Sequence, residues 1–530
     1  MSAPPSTAAC STTAAALGVS LLLLGLYLAT SPGRIDMIDG QFRYEVARNW
    51  LDHGRPVVLD RALASVSGLA IRTPTAVYSV YNAAASITPM PLMLLSRALP
   101  GHDADRERFF FAMTGPVFGA TLGGVLVVAY SMLGVPLRRA VAWALVCGVA
   151  TLWWPGSTTV FDQNQHAVWL LLALLLAWES GRRASVLLAL LAGVTGGALV
   201  TYQESYAVLL PLVGLAVVAS PMEARSMAVS LPRTIERAAV GRYLAFALAS
   251  AAGLVALLAF NYARFGTAFY EGRYDDPLTF GDGNPLAAFL GLAVSPGKSL
   301  FLFSPPLVLA VLGARHLFAR APALAIAIAL ASLAHLLVIV QVLFFAGDWC
   351  WGPRYMLILV PMWALTFPLA AERAPRALVV ALVSLGVLTQ ALAVSVDHHR
   401  FFFERNLPPH FWATDQWFYF RDSQLVARPG EVWSMWRDGV PREATVFISS
   451  PWRETTSAPF GLTPARANTS ARWMRSFQAF YLPRPWPLWT AAIDPAKRPI
   501  TPWPLLLVCV ATLVAGAWVV TRTLRPRAEP

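Results

Sequence analysis

Two aspartates three residues apart stand in the run Arg34-Ile-Asp36-Met-Ile-Asp39-Gly-Gln-Phe-Arg-Tyr44-Glu45, directly after the chain's first long apolar stretch, Thr13 to Thr30. A carboxylate where a chain leaves a bilayer costs free energy unless it is solvated or used. An enzyme acting on a lipid-linked substrate would place a general base there, whereas a solvated loop would carry the same residues to no chemical end. The spacing puts both carboxylates on one face of any helical turn. Beyond them Tyr44, Val46-Ala47 and Trp50-Leu51 repeat at helical spacing, which predicts an amphipathic helix lying on the membrane and holding the aspartates at its mouth.

Further candidates stand at the ends of later apolar stretches. In Trp153-Trp154-Pro155…Phe161-Asp162-Gln-Asn-Gln-His166, Asp162 and His166 are four apart and share a helix face, either as a ligand-binding pair or as a structural hydrogen bond. Ser295-Pro-Gly-Lys298-Ser-Leu-Phe301 reads as a turn feeding a helix N-terminus, where free N–H groups and the Lys298 ammonium suit a phosphate. In Gly347-Asp348-Trp349-Cys-Trp351-Gly-Pro-Arg354-Tyr355, Arg354 has the fork to grip a phosphate, and Asp348 the oxygens to hold a sugar hydroxyl or orient that arginine. The plainer use of either cation is a snorkelling interfacial anchor. Asp397-His398-His399-Arg400 is a further cluster, with adjacent histidines ill spaced for one metal on a helix.

These groups need elements to hold them, and composition says which. Of 530 residues, 56% are hydrophobic and 13% charged, against about 25% charged in soluble proteins. The expected fold is therefore an all-α polytopic membrane protein. The net charge of +12 does not mark a nucleic-acid binder, because the arginines occupy short loops between apolar stretches rather than one basic face. Lys298 and Lys497 are the only lysines. Cys10, Cys147, Cys350 and Cys509 are scattered and give neither a disulfide framework nor metal-binding spacing. The first stretch lacks a basic n-region and a small-x-small site, so it is expected to be retained rather than cleaved.

A crossing helix needs about 20 mostly apolar residues. After Thr13–Thr30 the candidates are Phe109–Leu133, Val141–Pro155, Ala167–Trp178, Ala184–Val200, Tyr206–Ser220, Tyr243–Tyr262, Leu300–Phe318, Ala321–Ala346, Tyr355–Ala371, Ala377–Val396 and Pro502–Val520, twelve in all. Thr75–Leu99, with Pro89 and Pro91, is expected to lie in the interface. Without it as a crossing, Arg138-Arg139, Arg182-Arg183, Arg225 to Arg242, Arg315 to Arg320, Arg373–Arg376 and Arg522 to Arg527 share one side, opposite the acidic run, Asp162, Glu204, Asp275-Asp276 and Asp348. The positive-inside rule then sets both termini in the cytoplasm. The expected division is a membrane domain over 1–396 with its first outer loop at 31–108, an extracytoplasmic Trp/Pro-rich segment at 397–501, and a last helix with a basic tail at 502–530. The 397–501 segment carries Trp412, Trp417, Trp433, Trp436, Trp452, Trp473, Trp486 and Trp489, as a membrane belt or as sugar-stacking rings.

At these residues the chain resembles the C-type (GT-C) glycosyltransferase superfamily, especially bacterial relatives of protein O-mannosyltransferases and aminoarabinose transferases. An acidic motif after the first span is matched loosely by Asp39-Gly-Gln-Phe-Arg-Tyr44. A juxtamembrane region follows, then an outer aspartate at Asp162, and Trp351-Gly-Pro-Arg354 is similar to a late loop-to-helix junction. The resemblance covers roughly Thr13 to Val396. It implies a multi-pass enzyme of the bacterial cytoplasmic membrane, with its active site facing outside. The donor would be a sugar on a polyprenyl phosphate, and the acceptor a glycan, lipid or protein. Asp39, or else Asp36, would be the base and Lys298 and Arg354 the groups that neutralise the departing phosphate, with Asp162, His166, Asp348 and Tyr44 about the sugar or acceptor. Gly40 stands where the family has a second acidic residue, which leaves a divalent metal possible and no cofactor certain. Two other readings stand beside it: a secondary transporter, which would carry ionisable groups at mid-span, and a lipid-linked glycan polymer ligase, centred on His398, His399 or His410.

Overall fold

A computed structural model describes residues 7–31, 35, 37–61, 63–65, 69–101, 104–218, 237–269, 284–342, 345–347, 350–396, 401, 420, 423–438 and 502–525. The chain is mostly helical. Six helical stretches among the described residues are long and apolar enough to cross a bilayer: Cys10–Thr30, Arg106–Met132, Arg237–Phe265, Pro322–Ile339, Arg376–Ser395 and Leu507–Leu524. Leu248, Val255, Leu337, Leu388 and Val514 remain exposed along them, as lipid requires and water would penalise. This is a multi-pass membrane protein.

In chain order the helices are α1 (Thr7–Thr30), α2 (Ile38–His53), α3 (Ala83–Ile87), α4 (Met90–Ala98), α5 (Ala104–Ala112), α6 (Thr114–Met132), α7 (Leu137–Ala150), α8 (Trp153–Ser157), α9 (Gln163–Arg183) and α10 (Val186–Val200). There follow α11 (Leu210–Gly214), α12 (Arg237–Phe265), α13 (Pro285–Val294), α14 (Leu300–Phe303), α15 (Val308–Arg320), α16 (Pro322–Ile339), α17 (Val360–Ala364), α18 (Phe367–Ala371), α19 (Arg376–Ser395), and helices at Gln424–Asp438 and Pro502–Leu524. Apolar helices gain little from lipid exclusion, so close backbone approach over small residues must hold them together. A methyl on Gly516 would lie 2.6 Å from the Leu22 nitrogen of α1, and one on Gly253 of α12 would strike the Gly197 carbonyl of α10.

Four expected crossings are divided, Val141–Pro155 between α7 and α8. Tyr206–Ser220 becomes a 3₁₀ turn at Glu204–Leu209, α11 and a 3₁₀ turn at Leu215–Val218. Leu300–Phe318 becomes α14, a 3₁₀ turn at Pro305–Leu307 and α15, while Tyr355–Ala371 becomes a 3₁₀ turn at Arg354–Leu359, α17 and α18. Pro211, Pro305-Pro306, Pro361 and Pro368 sit at the joints; each lacks an amide hydrogen and crowds the preceding turn. Thr75–Leu99 holds strand β2 (Val77–Ser79), α3 and α4. At nine residues, α4 rises only about 14 Å, too short for a crossing.

The first loop folds onto one end of the bundle. Strand β1 (Ala70–Arg72) pairs antiparallel with β2, Ile71 opposite Tyr78. Arg264, at the end of α12, donates to the carbonyls of Ser79 at 2.8 Å and Tyr81 at 2.9 Å. Trp50 stacks on Phe260 with centroids 5.7 Å apart. One expectation fails here: α2 does not lie on the surface as an amphipathic helix. Residues 40–47 are all buried, because Phe42 and Val46 pack with Val58 and Leu63, while Tyr44 and Ala47 pack with Met93, Phe109 and Phe111. The helix is sandwiched, and its polar residues find protein partners, as Asn49 does with Glu45 at 2.9 Å and the Val57 carbonyl at 2.8 Å.

Of the 397–501 segment, the Gln424–Asp438 helix is described, with Trp433 exposed. His398, His399, His410, Trp412, Trp417, Trp452, Trp473, Trp486 and Trp489 lie outside the described residues.

By the arginine partition, Arg138 and His53, both exposed, are expected on opposite sides of the membrane. In a Cys10→Ser background, an impermeant thiol reagent added to intact cells is expected to label His53→Cys and not Arg138→Cys. The reverse pattern would invert the chain.

Candidate functional site

Asp39 falls in the first turn of α2, where unpaired N–H groups and the helix dipole favour a negative charge. Its Oδ2 lies 3.4 Å from Nη1 of Arg354, 315 residues away. Arg354 is gripped from the sides: its guanidinium lies 4.2 Å from the Phe161 ring centroid and 5.0 Å from that of Tyr355, and Nη2 donates to the Tyr355 hydroxyl at 3.1 Å. The Asp39 side chain keeps 19% of its surface exposed and that of Arg354 9%, so the pair can be reached from outside.

Backbone geometry brings Arg354 here. Gly347 and Gly352 take φ of 82° and 63°, a left-handed region that side chains disfavour, and Pro353 leads into the 3₁₀ turn that begins with the arginine. Lys298 fixes this loop. Its Nζ is fully buried and donates to the carbonyls of Cys350 at 2.9 Å and Gly352 at 3.0 Å. The Lys298 ammonium faces these carbonyl oxygens and ties the loop that carries Arg354. The Gln424–Asp438 helix supports the same loop from outside. The Gln424 Oε1 accepts from the Gly352 N–H at 3.4 Å, and Arg428 lies over the Trp351 ring at 5.1 Å.

Asp162 joins the site through a residue that the sequence did not single out, Arg43. Its Nη1 lies 2.8 Å from Asp162 Oδ2, and its Nε donates to the Asp39 carbonyl at 3.1 Å. One arginine therefore binds the backbone of one candidate aspartate and the carboxylate of the other. Burial would raise the Asp162 carboxyl, but Arg43, and after it His166, outweigh burial and hold it well below the usual carboxylate range. Asp162 Oδ2 lies 3.5 Å from His166 Nε2, and His166 Nδ1 is 2.9 Å from the Tyr206 hydroxyl. The pair that the spacing left open as ligand or structure is buried in a polar chain running inward. Arg43 was hidden because it sits one residue from Tyr44 in a helix that read as a surface element; its only signal was a cation on the same helical face as Asp39.

The glycine at position 40 has a steric cause. A methyl there would lie 2.4 Å from Val160 Cγ2 and 3.0 Å from Ile35 Cγ2. The start of α2 thus packs hard against the loop before Asp162, and that approach lets Arg43 reach it. Tyr44 points elsewhere: its hydroxyl donates to Glu107 at 3.1 Å, on the side of α2 away from Asp39. Asp36 and Asp348 lie outside the described residues. No three His, Cys, Asp or Glu side chains converge among the described residues, and Asp39 and Asp162 each face an arginine.

No protein-family model matches the chain, and no curated protein does. Among solved structures it is similar to the Archaeoglobus fulgidus oligosaccharyltransferase in its complex with Zn and sulfate, at 13% identity and a TM-score of 0.38, over 80% of this chain and 55% of that one. The same enzyme tethered through a disulfide bond to an acceptor peptide containing the NVT sequon gives 12% identity and a TM-score of 0.36, over 83% and 58%. The chain thus spans a little over half the length of those chains.

Two stability predictions follow from the packing. Gly40→Ala is expected to lower stability by about 1–3 kcal/mol, although alanine is the better helix former, and Val160→Ala should restore it; a rise in Tm for the single variant would contradict the contact. Asp162→Ala should cost about 3–5 kcal/mol by leaving Arg43 buried without its carboxylate, and Asp162→Leu with Arg43→Met should recover most of that. Because the folded carboxyl titrates below its unfolded value, this stabilisation is complete above about pH 4 and fades only as the pH falls further. Thermal unfolding of wild type and variants at pH 7 and at pH 2 reads both the size and the sign.

Proposed function

We propose that this protein is an integral membrane glycosyltransferase that moves a sugar from a polyprenyl-phosphate-linked donor to an acceptor on the extracytoplasmic face. The observation that carries the reading is the meeting of Asp39 with Arg354. A carboxylate just after the first helix and the arginine of Trp351-Gly-Pro-Arg354, both named by the family resemblance, form one partly exposed ion pair.

The pair has the parts that such a transfer needs. The acceptor hydroxyl gives its proton to the Asp39 carboxylate as its oxygen bonds to the anomeric carbon. The bond from that carbon to the phosphate oxygen breaks, and the lipid phosphate leaves with the electron pair. Arg354 offers a planar fork to the charge that grows there. In the ion pair, Asp39 and Arg354 face each other. An arriving phosphate competes for the arginine and releases the carboxylate to act as base, so base activation is coupled to donor binding. Arg43 holds α2 in place through Asp162 and the Asp39 carbonyl, and Lys298 holds the loop of Arg354. The hexosyl or pentosyl class of the sugar is left open by this chemistry.

Asp39→Asn is expected to lower transfer by about 10²–10⁴ while lowering Tm less than Asp162→Ala does, measured with membranes, a lipid-linked sugar and labelled acceptor. Arg354→Ala should weaken donor use before acceptor use. Full transfer by Asp39→Asn, together with its loss on substitution of His398, His399 or His410, would favour the polymer ligase instead.

A further inference from the structure

The back of α2 carries a second site. Tyr44, Arg48 and Asp52 recur at four-residue spacing and so share a face, which lies roughly 160° around the helix from the face of Asp39 and Arg43. With Arg97 of α4 and Ala104 and Glu107 of α5 they line a cavity of about 430 Å³, within the size range of small-ligand sites. From this cavity we infer a binding site for an uncharged, hydroxyl-rich ligand, a segment of neutral glycan, separate from the Asp39–Arg354 pair.

Charge and order decide the ligand class. Arg48 and Arg97 balance Asp52 and Glu107, so the wall has no net charge to favour a phosphate or a polyanion. Five of the six lining residues carry a polar group and four are charged, and a lipid tail would strip water from those charges. The polar groups are already set: Arg97 lies 2.6 Å from both Asp52 Oδ1 and Glu107 Oε2, and the Tyr44 hydroxyl is bonded to Glu107. Fixed guanidinium and carboxylate planes offer hydroxyls both donors and acceptors at little entropic cost. The side chains of Arg48, Arg97 and Asp52 remain 34%, 24% and 36% exposed, open to an incoming ligand. A helix is about 10–12 Å thick, so the pocket lies roughly one helix diameter from Asp39.

The inference stands on this cavity and not on the role given to Asp39. The test uses the purified full chain with Cys10→Ser and Ala104→Cys, the new thiol reporting on the pocket through its rate of maleimide labelling. The probes are maltotriose, mannotriose and chitotriose, set against inorganic phosphate. At least one trisaccharide is expected to slow labelling and phosphate is not. Asp52→Asn should weaken that protection by about tenfold, as loss of a charge-assisted hydrogen bond does, while Tm confirms its fold. Asp39→Asn should leave the protection unchanged. Protection by phosphate, protection by none of the trisaccharides, or protection lost with Asp39→Asn would each overturn the assignment.

Discussion

Taking a guanidinium and a carboxylate out of water costs several kcal/mol per ion unless each finds the other in good geometry. At the first-loop end of this bundle α2 meets that constraint twice. Asp39 is held by Arg354 and Asp162 by Arg43, and the two pairs are joined because Arg43 also binds the Asp39 backbone. Residues from three distant parts of the chain are fixed against one helix turn. Gly40 is the geometric condition for this, since any side chain there would push α2 away from Val160. A second acidic residue at that position would cost the arrangement its closeness.

The same constraint separates groups offered to a ligand from groups that only position them. Lys298 is sealed among carbonyls, and Asp162 and His166 are buried with their partners. Asp39 keeps part of its surface open. Under the proposed function, a donor phosphate competes with Asp39 for Arg354, because a phosphate matches the arginine fork as well as a carboxylate does. Burying α2 on both sides makes the helix a rigid partition, with charged chemistry on one face and a neutral polar pocket on the other.

Much of this was legible in the residues, and the rest was hidden for physical reasons. The membrane class followed from how few residues carry charge, and Asp39 and Arg354 stood out as charged groups at the ends of apolar stretches. Their direct contact could not be read, since nothing local links positions 315 residues apart. The apolar pattern of Tyr44, Ala47 and Trp50 was helical as expected, but periodicity cannot tell a lipid surface from a protein one, so the burial of α2 and the role of Arg43 were missed. Lys298 stands in a turn as its spacing suggested, and its bonds to the Cys350 and Gly352 carbonyls could not be read, because spacing says nothing of which way an ammonium points. The divided crossings were marked in advance by their prolines, and hydropathy averages over such marks.

The central claim is that Arg354 exchanges Asp39 for the phosphate of a lipid-linked donor. A structure of the protein in a lipid nanodisc with a polyprenyl monophosphate bound tests it most directly. The phosphate is expected on Arg354 at about 2.8 Å, with the Asp39 carboxylate released and facing the open side. Phosphate bound away from Arg354, with the Asp39 pair intact, would contradict the account.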